Sequence, residues 1–461
     1  MKISNGVNKK IIIVLVVVIL IGAGIWYFAG RPDIKEILSP TAVFPVEKST
    51  ESAASSGWSI LVNEEQAVDE AVAMMLEKLK KNPDFVLVFC ASGYNEEKVL
   101  TEVRRLLPGT KILGGNSGYG VTTPGGYFWY PAVAQSLSVL GVATPKIVWG
   151  VGSASVEGIS SRETAKQALL LAMKDAGKKE TEKPNLVINI SSFGMEHEET
   201  LKGIADVIGN DVPIFGAYSA DKGIKGDWRI FANDKTYREG VALAVVYTDF
   251  KIGFYKEHGF EVTEAGGKVT KADKNKLIEI DGRPAAEVYS ELIGGLLEKE
   301  VENPTTTSAQ LTKVRVTGAL NPLAKVLRVA GKEPFYVPAM IVAILPDRSL
   351  QLDIMVQEGD ELKILRGDWE ILLNRLQTTS EKAMDSFKIE KDKIIFALDS
   401  FCCATNFAIP ESERPKSSQL LKDSVGDTFV GICACGIQTF DPSMGNIYTS
   451  LGNGILIFSE R

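Results

Sequence analysis

The hydrophobic pattern of this chain is written at least twice. A continuous apolar run, Phe85-Val86-Leu87-Val88-Phe89-Cys90, follows Pro83 and Asp84 and opens into Ala91-Ser92-Gly93-Tyr94. Asn95-Glu96-Glu97 leads a stretch whose apolar positions, Val99, Leu100, Val103, Leu106 and Leu107, share one helical face. The unit closes on Ile112-Leu113-Gly114-Gly115-Asn116-Ser117-Gly118. From Pro184, 101 residues further on, the same order returns. Leu186 to Ile190 is the apolar run, Ser192-Phe193-Gly194-Met195 the loop, and Thr200, Leu201, Ile204, Val207 and Ile208 the helical face. Ile214-Phe215-Gly216-Ala217-Tyr218-Ser219-Ala220-Asp221 closes it, with Gly114 matched to Gly216 and Ser117 to Ser219. Apolar runs this short predict strands covered on both faces. Strand, loop, helix, strand is a βαβ-like unit, and the loops at its strand ends are where α/β sheets bind ligands. A fainter third copy ends the chain, with strands at Ile394–Ser400 and Phe429–Gly436 and a short helix from Ser417 to Val425.

The rest of the pattern places these units. Asn63 with Gln66 three residues later predicts a capped helix whose face is Ala67, Ala71, Met74, Met75 and Leu79. Ser136–Gly141, Lys146–Gly150 and Gly240–Tyr247 read as strands, and Arg162–Ala176 as a further helix. Glu298 to Asn321 is polar and is expected to be a surface loop; Phe335–Ile344 and Leu350–Met355 alternate like strands, and Asp368 opens the last long helix. The expected class is therefore α/β, with repeated strand-helix-strand units in two successive sheet-containing domains, 58–248 and 249–461.

One segment departs from globular composition. Ile11 to Ala29 carries no charge and is about 28 Å long as a helix, enough to cross a bilayer. Lys2, Lys9 and Lys10 precede it, which orients residues 1–10 as a cytoplasmic stub and the bulk of the chain as extracytoplasmic. Residues 30–57, with a Ser/Thr/Ala-rich run, are expected to be a flexible linker. A single transmembrane anchor thus precedes the domains.

Over all 461 residues the formal net charge is −7, which argues against nucleic acid as a partner. Five cysteines are too few for a disulfide-built domain. Cys90 is expected in the core. Cys402, Cys403, Cys433 and Cys435 admit core thiols, a disulfide or a metal site, although neither pair has the usual C-x₂₋₄-C spacing.

Searches for catalytic patterns mostly fail. The chain contains no G-x-x-x-x-G-K-[ST] phosphate cradle, and Gly150-Val151-Gly152 lacks the third glycine of a dinucleotide fingerprint. Gly115-Asn116-Ser117-Gly118-Tyr119 misses the nucleophile elbow by one position. His197 and His258 are the only histidines, and His197 is expected exposed in the first turn of its helix. No cofactor and no metal site is expected. Ligand binding has positive support. Gly114, Gly115, Asn116 and Ser117 end one strand; Gly216, Tyr218, Ser219 and Asp221 belong to the end of its counterpart. Glycines let backbone N–H groups approach an anion such as a carboxylate, Asp221 suits an ammonium group and Tyr218 a pocket wall. An amino acid or small carboxylate would use both signs. The alternatives are a hydrolase using Ser117 or a late thiol, and a scaffold for another membrane protein built on the Tyr127–Tyr130 aromatics.

The layout from Trp58 to Tyr247 resembles the N-terminal half of the FIST domain: a leading helix, two apolar strands each followed by a helix, the Gly-Gly-Asn-Ser loop, and Gly216–Asp221 before Trp228-Arg229-Ile230-Phe231. The remainder of the chain is similar to the C-terminal half, above all Leu277-Ile278-Glu279-Ile280-Asp281-Gly282-Arg283-Pro284-Ala285-Ala286-Glu287-Val288-Tyr289. The resemblance implies a sensory module that binds small ligands, with amino acids proposed; such a module either passes its signal to a separate partner or simply captures ligand. Where the family commonly has Cys followed by Gly-Arg, this chain has Cys402-Cys403-Ala404-Thr405, and where a Gly-Glu pair closes a later strand it has Gly436-Ile437.

Overall fold

The computed structural model describes residues 53–461 except 224, 305, 306 and 443. The expected anchor, stub and most of the linker lie outside the described residues. Among those residues no helix is long and apolar enough to cross a membrane.

The repeated units are present as parallel strand pairs with the registers Ala91 opposite Ser117 and Ser192 opposite Ser219. Their helices, Glu96–Leu106 and His197–Ile208, bury the faces that the spacing marks: Val99 and Val103 in one, Leu201 and Ile204 in the other. The third copy is equally complete. Ile394–Cys402 pairs in parallel with Phe429–Ala434, Cys402 standing opposite Ala434.

The repeat is longer than a strand-helix-strand unit. Each copy opens with an outer strand (Ala53–Ser59, Ile147–Ser155, Lys251–Glu257) and a leading helix (Glu64–Leu79, Ser161–Asp175, Trp369–Phe387). Each ends on a long apolar strand (Leu137–Ala143, Gly240–Thr248, Asn453–Ser459) that returns between the outer strand and the parallel pair. In the third copy the outer strand and the leading helix are separated by an insertion that folds as the separate eight-stranded sheet within residues 261–366.

A hairpin follows the second parallel strand of every copy, and none stays in its own sheet. The first hairpin, Gly120–Thr123 and Gly126–Trp129, joins Phe429–Ala434 of the third copy. That of the second copy, Ile230–Ala232 and Lys235–Tyr237, joins Lys111–Ser117 of the first. The third, Ile437–Asp441 and Gly445–Thr449, joins Ile214–Ser219 of the second. This cyclic exchange closes three six-stranded sheets into a ring and leaves strands from both sides of residue 248 in one sheet. Inside the ring the apolar inner faces meet in an aromatic column. Phe85 stacks on Trp149 at 4.1 Å, Trp149 lies 6.2 Å from Phe458, and Phe458 stacks on Phe396 at 4.4 Å, so all three sheets contribute.

Two expectations need correction. Residues 53–57 are not linker but strand, paired with Leu137–Ala143. Their small side chains are what the packing needs: a Cβ on Gly57 would lie 2.0 Å from the Ala71 carbonyl oxygen of the covering helix. Nor is Glu298–Asn321 a loop, since it contains the helices Glu298–Glu302 and Ser308–Leu320. Val314 and Ala319 are buried on the longer one, an apolar face too narrow to stand out among its polar neighbours.

Candidate functional site

The carboxyl ends of the parallel strands converge on the side of the ring covered by the insertion. The strand registers make Ser92, Phe193 and Cys403 equivalent, each one residue past its strand-end pair. Phe193 and Cys403 line a cavity there, with Tyr119, Cys402 and Cys435 beside them and Arg315, Met340, Val342 and Asp353 supplied by the insertion. Ser92 has left the site and accepts a hydrogen bond from the Lys222 N–H at 3.0 Å. The open core of the cavity is about 20 Å³, room for a water molecule rather than a large ligand.

Its chemistry combines both charges with a thiol. Asp353 accepts from the Met340 N–H at 2.8 Å. Burial pushes its carboxyl up to about 6, against the Ser450 and Tyr448 hydroxyls that favour the anion. Arg315 donates to the Val342 carbonyl at 3.3 Å through Nε. The Sγ atoms of Cys403 and Cys435 are 3.0 Å apart, and the Tyr127 hydroxyl lies 3.7 Å from the Cys433 sulfur. Hydrogen bonds from the Cys433 and Cys435 thiols hold the Cys403 thiol well below its ordinary value, while burial pushes Cys402 up to about 12. All five cysteines are free and buried, and among the described residues no group of acids, histidines and thiols is arranged to hold a metal. Cys403 is therefore expected to be alkylated by iodoacetamide at pH 7 ahead of Cys402, and Cys435→Ala, which removes one donor, is expected to slow it. Peptide mass spectrometry over a time course checks this; faster labelling of Cys402 would contradict the assignment.

The residues singled out from the repeat lie deeper, within the walls of the ring. Asn116 donates through Nδ2 to Glu96 at 2.8 Å and accepts from the Arg229 N–H. Ser219 Oγ lies 2.9 Å from the Asn116 N–H and 2.8 Å from the Arg229 carbonyl. Ser117 accepts from the Cys433 N–H at 2.8 Å and donates to the Gly120 carbonyl. Asn116 and Ser219 are thus brought together through Arg229, linking the strand ends of the first two copies, while Ser117 links the first to the Phe429–Ala434 strand of the third. Asp221 stands apart and accepts from the N–H groups of Lys225 at 2.9 Å and Asp227 at 2.7 Å. The Tyr218 hydroxyl donates to the His197 carbonyl at 3.1 Å. Gly114 and Gly216 face backbone: a Cβ would lie 2.1 Å from the Val88 oxygen and 1.9 Å from the Asn189 oxygen, respectively. Gly115 sits against Ile190 and Ser219. None of these eight side chains or glycines lines the cavity beneath the insertion.

His197 is not exposed. Its ring lies between Tyr218 at 4.0 Å and Tyr448 at 4.4 Å, and burial lowers it to about 3, so it is neutral. Tyr448 arrives on the hairpin of the third copy, a contact that local spacing does not encode. Sequence reasoning also missed Arg315 and Asp353, because the insertion brings them to the strand ends from a region without a repeat. A groove of about 580 Å³ beside helix His197–Ile208 is larger, but Arg162 in its wall is already paired with Asp206 at 2.7 Å, and Lys202 with Glu199 at 2.7 Å.

Comparison with known proteins bears on this arrangement. Residues 84–283 match the FIST N domain. FIST domains are sensory domains that bind small ligands, and over this stretch the chain is similar to their N-terminal part. The matched stretch takes in the first two copies from Asp84 onward, the outer strand of the third and the start of the insertion. An uncharacterized protein of Methanocaldococcus jannaschii is 30% identical over 92 residues, which is 20% of this chain and 18% of that protein. Among solved structures, a cyanuric acid hydrolase from A. caulinodans aligns over 89% of this chain and all of its own, at 8% identity and a TM-score of 0.35. PurLQS from Thermotoga maritima aligns over 89% of this chain and 73% of its own, at 9% identity and a TM-score of 0.22. Likeness at these levels does not extend to function.

Proposed function

We propose that this chain is a membrane-anchored sensory protein whose extracytoplasmic ring binds a small zwitterion such as an amino acid, and that a separate partner receives the signal. The observation that carries the reading is the placing of Arg315 and Asp353 together in one cavity at the strand ends of the ring. The guanidinium suits a carboxylate, the carboxylate an ammonium group, and Tyr119 and Phe193 supply apolar walls. The present core is small, so binding requires the insertion to move away from the ring. In this reading Asn116, Ser117, Ser219 and Asp221 hold the frame, and Ile11–Ala29 is the anchor.

A thermal-shift screen against amino acids, matched amines and matched carboxylates tests it. Amino acids are expected to raise the melting temperature, by about 2.7 kcal/mol of added stability at a hundredfold excess over Kd. Arg315→Met and Asp353→Asn are each expected to weaken binding by roughly ten- to a hundredfold, the effect of losing a charge-assisted hydrogen bond. Equal shifts in both variants and the parent would exclude this cavity as the site.

A further inference from the structure

A second cavity, of about 730 Å³, lies on the outer strand of the third copy, between Lys251–Glu257, the helix Trp369–Phe387 and the hairpin Ile437–Thr449. Its volume is in the range of small-molecule sites. Aromatic rings dominate the walls, with Phe254 4.7 Å from Phe387 and 6.0 Å from Phe440. Lys256 projects among them. Its Nζ is buried without a hydrogen-bond partner and sits 4.6 Å from the centre of the Phe335 ring. A buried ammonium is strongly disfavoured without an acceptor, and an aromatic face replaces only part of what water supplied.

We propose that the Lys256 cavity binds a monocarboxylate with an aromatic or branched apolar body, its carboxylate accepting from the Lys256 ammonium and its body lying among Phe254, Phe335 and Phe440. The surrounding charges select this class. Glu257 is already paired with Lys382 at 2.7 Å and accepts from the Thr378 hydroxyl at 3.0 Å. His258 is held neutral by burial at about 3, and its Nδ1 accepts from the Phe260 N–H at 3.0 Å. Arg375 turns away to the His258 and Leu451 carbonyls, at 3.0 and 2.7 Å. Asp441 lines the same cavity and acts on Lys256 as an opposite charge. One ligand charge answers the ammonium, whereas a dianion such as phosphate would also meet Asp441. An amine would meet Lys256 itself.

The site is distinct from the Arg315–Asp353 cavity, with which it shares no wall residue. Calorimetry on the full chain in mild detergent, with phenylacetate, isovalerate, phenethylamine and inorganic phosphate as probes, tests the proposal. The two carboxylates are expected to bind and the other two probes not to. Lys256→Met is expected to lower carboxylate affinity at least about tenfold, while Lys256→Arg retains part of it and Arg315→Met leaves it unchanged. Burial brings the Lys256 amine down to about 8. Affinity is therefore expected to fall as pH rises from 7 to 9, a range in which His258 stays neutral and Lys382 and Arg375 stay charged; Asp441 and Glu257 are acids that line the same cavity. Absence of carboxylate binding, equal affinity in a folded Lys256→Met, loss in Arg315→Met, or phosphate binding as tightly as phenylacetate would overturn the assignment.

Discussion

Gly216→Val is expected to prevent the ring from closing, with a loss of more than about 4 kcal/mol of stability. A Cβ at this position would lie 1.9 Å from the Asn189 carbonyl oxygen and 2.8 Å from its carbonyl carbon, backbone atoms of the parallel neighbour strand that cannot step aside. The same strand carries the hairpin of the third copy through Gly216 opposite Gln438 and Ala217 opposite Ile437. Displacing it therefore disturbs one of the junctions that hold the copies together. Gly118→Ala is the control, because the nearest atom to its Cβ is 3.5 Å away, an ordinary contact. Urea unfolding of both variants checks the pair. A Gly216→Val protein with a midpoint near that of Gly118→Ala would show that the strand contact is not needed.

Asp399→Asn is expected to stabilise the protein at neutral and alkaline pH. Asp399 lies fully buried in the first parallel strand of the third copy. Its Oδ1 accepts from the Asn453 amide at 2.6 Å, and its Oδ2 has no partner. Burial raises the carboxyl to about 7, with Asn453 and the Arg375 charge opposing the rise. In the unfolded chain the group ionises near 3.8, the ordinary value. Between the two values the unfolded state releases a proton that the folded state keeps, so stability falls as pH rises from about 4 to about 7 and then levels. The asparagine carries no such dependence. Its advantage is expected to be absent near pH 4 and to reach on the order of 2–4 kcal/mol at pH 8. Urea midpoints of both proteins across this range measure it, and parallel curves would show that Asp399 is already ionised in the fold.

These two residues mark the limits of what the residue pattern discloses. Gly216 is legible because Gly114 occupies the matching place in the first copy, and both glycines meet the carbonyl of the neighbouring parallel strand. Such a constraint is local to one strand pair, so it recurs wherever that pair recurs. Asp399 gives no such signal. Its environment comes from Asn453 and Arg375, on elements before and after its own strand, and an acid within an apolar run does not reveal which partners surround it.

The strand-helix-strand copies, their helix faces and the third unit are legible in the sequence, because a strand between helices must be apolar on both faces and a covering helix on one. The Asn63 cap is of the same kind: its side chain accepts from the Gln66 N–H at 3.0 Å, three residues away. The hairpin exchange was decided only by the tertiary structure. Thr122 pairs with Gly431, and Ile230 with Gly115, across separations that hydrophobic periodicity does not register. The same distance hid the Arg315–Asp353 cavity and the Lys256 cavity, whose walls come from elements far apart in the chain. Periodicity reports which face of an element is covered. What covers it depends on packing between segments that share no local signal.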